Sequence, residues 1–178
     1  MKWVLIAVVV LITVIVLMAV IGAFISRNHV AGSSITLHQP PDTVWRVVRD
    51  QDSVPQWWPA MRTSVHHVGP DGRDRWDQTL SGNTMTFVID TDEPPRRLVT
   101  RIEDTPGAPF GGTWTFEVAP EAAGSRVTVT ERGWIANPIF RFLARFVFGY
   151  YRTQEDYLRA LGKRFGETVV PARVTGAS

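Results

Sequence analysis

An uncharged apolar run at the amino terminus constrains this 178-residue chain more than any other feature. From Trp3 to Ile25, Thr13 is the one clearly polar side chain, and no acidic or basic residue interrupts the run. As an α-helix these residues would extend roughly 34 Å, enough to cross a hydrocarbon core of about 30 Å. A cleaved signal peptide has a shorter apolar region and a small-residue cleavage site. The run therefore predicts an uncleaved transmembrane anchor over residues 1–26.

The charges that flank this anchor nearly balance. Lys2 lies before the run and Arg27 follows it. Because positively charged residues beside a transmembrane helix tend to stay in the cytoplasm, the two orientations are almost equally favoured. The very short amino-terminal tail favours a cytoplasmic amino terminus, with the soluble domain on the other side. We expect a single-pass protein of a bacterial inner membrane.

Composition excludes several kinds of site in the soluble part. The chain has no cysteine, which excludes disulfides, zinc–thiolate sites and cysteine nucleophiles. Beyond Lys2 it carries 18 basic and 17 acidic residues, a net charge of only +1. Domains that bind nucleic acid usually have a stronger positive field. We therefore expect one domain with a substantial core and no nucleic-acid partner.

Hydrophobic periodicity divides the soluble part into one strand, two short helices, six strands and one long helix. Residues 27–33 are predicted to be a polar linker, and residues 169–178 a flexible tail. Turn-forming residues separate the strands. The predicted strands cover residues 34–38, 61–69, 72–80, 83–91, 96–103, 113–118 and 126–131.

The last helix is predicted to run from about Pro138 to Gly166, with Asn137 as its N-cap. At about 100° per residue, one apolar face forms and would pack on the sheet. That face comprises Ile139, Phe142, Leu143, Phe146, Tyr150, Tyr157 and Leu161. A curved antiparallel sheet wrapped around this helix would bury both apolar surfaces, which indicates the α+β class.

The region of the two short helices resembles a known superfamily. Pro40-Pro41 ends the first strand, DTVWRVVRD follows at residues 42–50, and VPQWWP follows at residues 54–59. With the strand at residues 126–131 and the aromatic-rich terminal helix, this pattern is similar to the START-like or SRPBCC superfamily. The similarity is to its polyketide cyclase/dehydrase type and covers about residues 33–167. It implies a helix-grip fold for a domain at residues 34–168.

The resemblance also implies an elongated cavity between sheet and helix that accepts a hydrophobic small molecule or lipid. Some members are aromatase/cyclases or hydrolases, many only bind or carry ligands, and the superfamily has no universal catalytic residue. The leading hypothesis is a membrane-anchored module that binds or transfers a lipid or aromatic metabolite, without a cofactor. The alternatives are a cyclase/dehydratase-like enzyme that uses a cavity carboxylate and a structural or interaction protein.

Large aromatic side chains can fill a core or line a cavity for apolar ligands. The cavity candidates are eight aromatic residues and one carboxylate, and the predicted inner faces of sheet and helix carry Trp114, Phe116, Phe142, Phe146 and Tyr150. The nine candidates are Trp58, Trp76, Phe87, Trp114, Phe116, Glu131, Phe142, Phe146 and Tyr150.

Glu131 is the one weak catalytic candidate. It shares a strand face with Val127 and Val129. If that face points inward, a carboxylate enters an apolar cavity, where it could serve as a general acid or base with the Tyr150 hydroxyl. The alternatives are an ion pair with an arginine, such as Arg132 or Arg101, and simple exposure to solvent.

A second apolar stripe on the terminal helix lies beside basic residues. This combination suits contact with a membrane interface, although a helix packed on two sides with solvated cations would look the same. The predicted membrane-contact residues are Phe140, Phe148, Tyr151, Arg141, Arg145 and Arg152.

We expect no metal site. His66 and His67 are adjacent on a predicted strand, where neighbouring side chains point to opposite faces. They therefore cannot converge on one ion without distortion. The sequence also lacks a glycine-rich phosphate loop and a GxSxG element.

Overall fold

The structure, a computed structural model, describes residues 1–174. Its helices are α1 (Lys2–Phe24), α2 (Pro41–Arg49), α3 (Val54–Trp57), α4 (Pro138–Leu143) and α5 (Arg152–Arg164), with a π-helical turn at Ala144–Phe148. Its strands are β1 (Asn28–Leu37), β2 (Met61–Val68), β3 (Asp74–Leu80), β4 (Asn83–Glu93), β5 (Arg97–Ile102), β6 (Phe110–Glu121), β7 (Gly124–Ile135) and β8 (Ala172–Arg173).

The eight strands form one curved sheet in the order β2-β3-β4-β5-β6-β7-β1-β8. Every neighbouring pair is antiparallel. Helices α2, α3 and α5 lie against the sheet, and α1 is long and apolar enough to cross a membrane. The predicted α+β class, with a curved antiparallel sheet and carboxyl-terminal helices, is confirmed.

The first strand begins earlier than predicted. β1 starts at Asn28 and pairs with β7 from Asn28 opposite Trp134 to Leu37 opposite Ser125, so most of the predicted linker at residues 27–33 lies inside the sheet. Small residues gave this segment the composition of a linker. They are small because Ala31 and Ser33 are buried under the helical layer, where little space remains.

The predicted tail is also partly ordered in the sheet. Arg173 and Ala172 pair with Ser33 and Ser34 on the outer side of β1. Residues 175–178 of the predicted tail lie outside the described residues.

The main core lies between α5 and the centre of the sheet. Leu158 and Leu161 of α5 are completely buried, as are Val127 and Val129 of β7. Tyr157 of α5 is surrounded by four aromatic rings, with centroid distances between 5.2 and 6.0 Å. Aromatic pairs at such distances add to the free energy of area burial. The four rings belong to Trp57, Trp58, Trp114 and Phe116.

The predicted single terminal helix is wrong in one respect: it is broken between α4 and α5. The π-helical turn closes with a bond from the Gly149 amide to the Ala144 carbonyl, and Gly149 has a φ angle of 76°. That backbone region favours glycine and ends a right-handed helix. Since a π turn also adds a residue to the turn, the angular phase of α4 does not carry over to α5.

Helix α4 packs against the carboxyl-terminal end of α1. Gly22 is buried, and a Cβ atom there would overlap the carbonyl oxygen of Pro138. The Arg141 guanidinium donates hydrogen bonds to the carbonyl oxygens of Ile25, at 2.8 Å, and Ala136, at 3.5 Å. The absence of a side chain at residue 22 therefore permits close contact between the two helices.

The packing of α5 predicts that shortening one of its buried side chains destabilises the protein more than shortening an exposed side chain of β2. Leu161→Ala should lower the free energy of unfolding by about 2–5 kcal/mol, because it leaves a cavity under a completely buried side chain. Val65→Ala, on the exposed face of β2, should change it by less than about 0.5 kcal/mol. Urea titration of the full chain in detergent, followed by tryptophan fluorescence, measures both. Equal destabilisation by the two variants would contradict this packing.

Candidate ligand cavity

A cavity of about 410 Å³ lies between the inner face of the sheet and the segment formed by α4 and the π-helical turn. Strands β4, β5 and β6 contribute Met85, Phe87, Ile102 and Trp114 to its wall. This volume lies within the range of pockets for small organic ligands, about 300–1,000 Å³. The wall is mainly apolar, so the cavity suits a ligand with an apolar body.

The cavity reaches the surface beside the π-helical turn. Phe140, Ala144 and Phe148 are spaced four residues apart and line it from this side. Phe140 and Phe148 are 54% and 55% exposed, so they form its rim. The rim consequently adjoins α4, which packs on the end of α1.

A second, smaller cavity of about 40 Å³ lies deeper, towards α5. The two cavities share Leu80, Phe87 and Trp114 as lining residues, so these side chains separate them. Tyr157 lines the deeper cavity, and its hydroxyl group is buried without a hydrogen-bond partner within residues 1–174. Burial raises the pKa of Tyr157, which keeps the hydroxyl neutral as a donor.

The nine predicted cavity residues divide into three groups. Phe87, Trp114, Glu131 and Tyr150 line the main cavity. Trp58 and Phe116 line the deeper one. Trp76, Phe142 and Phe146 line neither.

Each of those three side chains has another environment. The buried indole of Trp76 donates a hydrogen bond to Asp52 at 2.9 Å. Phe142 packs on Phe146, with ring centroids 4.9 Å apart, and Phe146 is 62% exposed. The placement of Phe146 in the cavity rested on one continuous helix. Because the helix is broken at Gly149, Phe140 and Phe148 line the cavity in place of Phe142 and Phe146.

The predicted membrane-contact residues also lie in different environments. Phe140 and Phe148 are exposed at the cavity rim, and Arg145 and Arg152 are exposed nearby in the chain. Arg141 instead bonds to the end of α1. Tyr151 lies under the guanidinium of Arg173, 4.4 Å from ring centroid to Cζ.

Glu131 enters the cavity wall as the inward-facing interpretation of its strand expects, but its partners are not arginines. One carboxylate oxygen lies 3.1 Å from Nε2 of His29, and the other accepts a bond from the buried Gln154 amide at 3.3 Å. The His29 ring stacks on Tyr150, with centroids 4.3 Å apart and planes 17° apart.

Sequence reasoning missed His29 because residues 27–33 were assigned to a linker. A signal was present: His29 alternates with Ala31, Ser33 and Ile35, which lie on the buried face of β1. Extending the strand by six residues would have placed the imidazole inside the domain.

The two adjacent histidines of β2 have separate acidic neighbours. Nε2 of His66 lies 2.9 Å from an Asp74 oxygen, and Nδ1 of His67 lies 3.8 Å from an Asp77 oxygen. Across residues 1–174, no three side chains of the types that bind metals come together.

A known protein family matches most of this sequence. The family model described as polyketide cyclase / dehydrase and lipid transport matches residues 29–165. No curated protein sequence matches the chain significantly.

Several solved structures share the fold at low sequence identity. A START superfamily protein from Mycobacterium smegmatis has a TM-score of 0.58 and 18% identity, over 76% of this chain and 96% of that protein. The di-domain ARO/CYC StfQ from the steffimycin biosynthetic pathway has a TM-score of 0.62 and 14% identity, over 78% of this chain and 52% of StfQ. Ara h 8.0201 has a TM-score of 0.56 and 14% identity, over 79% of this chain and 99% of its own.

These similarities in structure concern the fold alone, whereas the family model covers most of the sequence that follows α1. The chain belongs to the polyketide cyclase/dehydrase and lipid transport family and has the START-like fold.

Proposed function

We propose that this protein is a membrane-anchored module that binds a hydrophobic ligand, a lipid or an aromatic metabolite, and exchanges it with the bilayer. The observation that carries the proposal is the mainly apolar cavity of about 410 Å³ whose rim includes Phe140 of α4, the helix that packs on the end of α1. An apolar ligand gains free energy by leaving water for such a wall.

The anchor part of the proposal is supported by α1 and its packing. α1 spans Lys2–Phe24 with no charge after Lys2, and no residue of the apolar window within it is buried, as a lipid-facing helix requires. Its last turn packs on α4, so a membrane that contains α1 would lie beside the rim.

The surface of the π-helical turn supports contact between the rim and lipid. Phe146, Val147 and Phe148 expose between 55% and 62% of their surface, and Arg145 is exposed beside them. Apolar side chains flanked by a cation bind the interface of a bilayer that contains anionic lipid. In this position a ligand could pass between cavity and bilayer without crossing water.

Filling the cavity from the π-helical turn should prevent binding. Ala144→Trp adds a large ring at a position that lines the cavity, and we expect the affinity for a fluorescent fatty acid to fall at least about tenfold. Titration of the full chain in detergent micelles, followed by probe fluorescence, measures this affinity.

Val147→Trp is the matched control. It adds the same ring to the same turn, at a position that is 61% exposed and does not line the cavity. The control should bind the probe as the unsubstituted protein does. Equal loss in both variants, or no loss in Ala144→Trp, would contradict binding in this cavity.

Site-specific labels can test the contact with lipid, because the chain has no cysteine of its own. A fluorophore attached at Val147→Cys should be quenched by lipids that carry a quencher in their acyl chains. The same fluorophore at Val65→Cys, which is similarly exposed on β2, should not be quenched. The full chain in vesicles of zwitterionic and anionic lipids provides the measurement. Absence of quenching at both positions would remove the membrane contact from the proposal.

A further inference from the structure

A basic and an acidic side chain meet in a cavity wall that is mainly apolar but also contains Ser81, Asn83, Thr113 and Thr153. Among the described residues that line the main cavity, His29 and Glu131 are the charged or basic side chains, and Tyr150 is the one other ionisable group. The side chains of His29 and Glu131 are only 11% and 24% exposed, respectively. A polar pair in such a place orients a ligand more than it adds to the apolar contact.

The pair is held from several sides. His29 stands opposite Gly133 in the sheet, and a Cβ atom at Gly133 would lie 2.6 Å from Cε1 and 2.8 Å from Nε2 of the imidazole. The Tyr150 ring stacks on the imidazole, and Gln154 holds the second oxygen of Glu131. The ring therefore occupies space that any side chain at residue 133 would take.

For an ionised Glu131 and a neutral His29, the contact between them fixes which imidazole nitrogen is the acceptor. An ionised carboxylate only accepts hydrogen bonds, so Nε2 must carry the proton that it donates at 3.1 Å. In the neutral imidazole the other nitrogen, Nδ1, is then an acceptor. Nδ1 makes no hydrogen bond within residues 1–174 and is not among their fully buried unpartnered atoms.

We propose that His29, oriented by Glu131, is a specificity site that accepts a hydrogen bond from a hydroxyl group of an otherwise apolar ligand. The inference rests on the proposed function, because it requires a ligand in the main cavity. It selects within that class: a hydroxylated lipid or a phenolic aromatic should bind more tightly than the corresponding hydrocarbon. A ligand that covers Nδ1 without offering a hydroxyl leaves this acceptor without a partner, which disfavours its binding.

A pair of fluorescent probes that differ by one hydroxyl tests the site. The full chain in detergent micelles is titrated with 1-hydroxypyrene and with pyrene. The unsubstituted protein should bind 1-hydroxypyrene more tightly than pyrene. His29→Leu should lower the affinity for 1-hydroxypyrene about fivefold, which corresponds to the loss of one neutral hydrogen bond. The affinity for pyrene should not change.

Two further variants control the result. Gly133→Ala should displace the imidazole through its Cβ and cause the same selective loss, even if His29→Leu does not fold. His67→Leu removes a histidine whose side chain is 42% exposed on β2 and does not line the cavity, so neither affinity should change.

The outcomes separate the two proposals. If the folded His29 and Gly133 variants lose affinity equally for both probes, or lose affinity for neither, the hydroxyl site is overturned and the cavity remains a binding site. If the unsubstituted protein binds neither probe, the binding function fails and the specificity site fails with it.

Discussion

The break in the terminal helix at Gly149 determines how the rest of the molecule is arranged. On its carboxyl-terminal side, α5 buries Leu158 and Leu161 against the sheet. On its amino-terminal side, α4 packs mostly on α1 and touches the sheet mainly at β7. The two halves have different packing partners, so a space remains between α4 and the sheet, and that space is the main cavity.

Two glycines permit the contacts on which the site depends. Gly22 lets α1 approach the backbone at Pro138, which positions the cavity rim beside the candidate transmembrane helix. Gly133 leaves room for the imidazole of His29 above the sheet. In both places a Cβ atom would overlap its neighbours, so the arrangement depends on the missing side chain and not on backbone flexibility. The absence of a side chain thus shapes both the contact of α1 with α4 and the polar pair in the cavity.

Several parts of the fold and site were predictable from residues close together in the sequence. Alternation identified β6 and β7, and turn residues separated β2 to β5, because period-two patterns reflect the two faces of a sheet. Phe87 and Trp114, both predicted cavity residues, line the main cavity. Phe146 was misplaced since its position was extrapolated at 100° per residue through a π turn that sequence periodicity does not reveal. His29 was missed because small buried residues and small linker residues have the same composition.

The sequence by itself determined the apolar helix, the order of strands and helices, and the family, because each depends on local composition, periodicity or a matching run of residues. Tertiary structure decided which side chains meet. The pairing of His29 with Glu131 joins residues 102 positions apart, and the contact of Gly22 with Pro138 joins two helices from opposite ends of the chain. Such contacts depend on strand register and on the angle at which helices pack, and neither property is encoded in a short stretch of sequence.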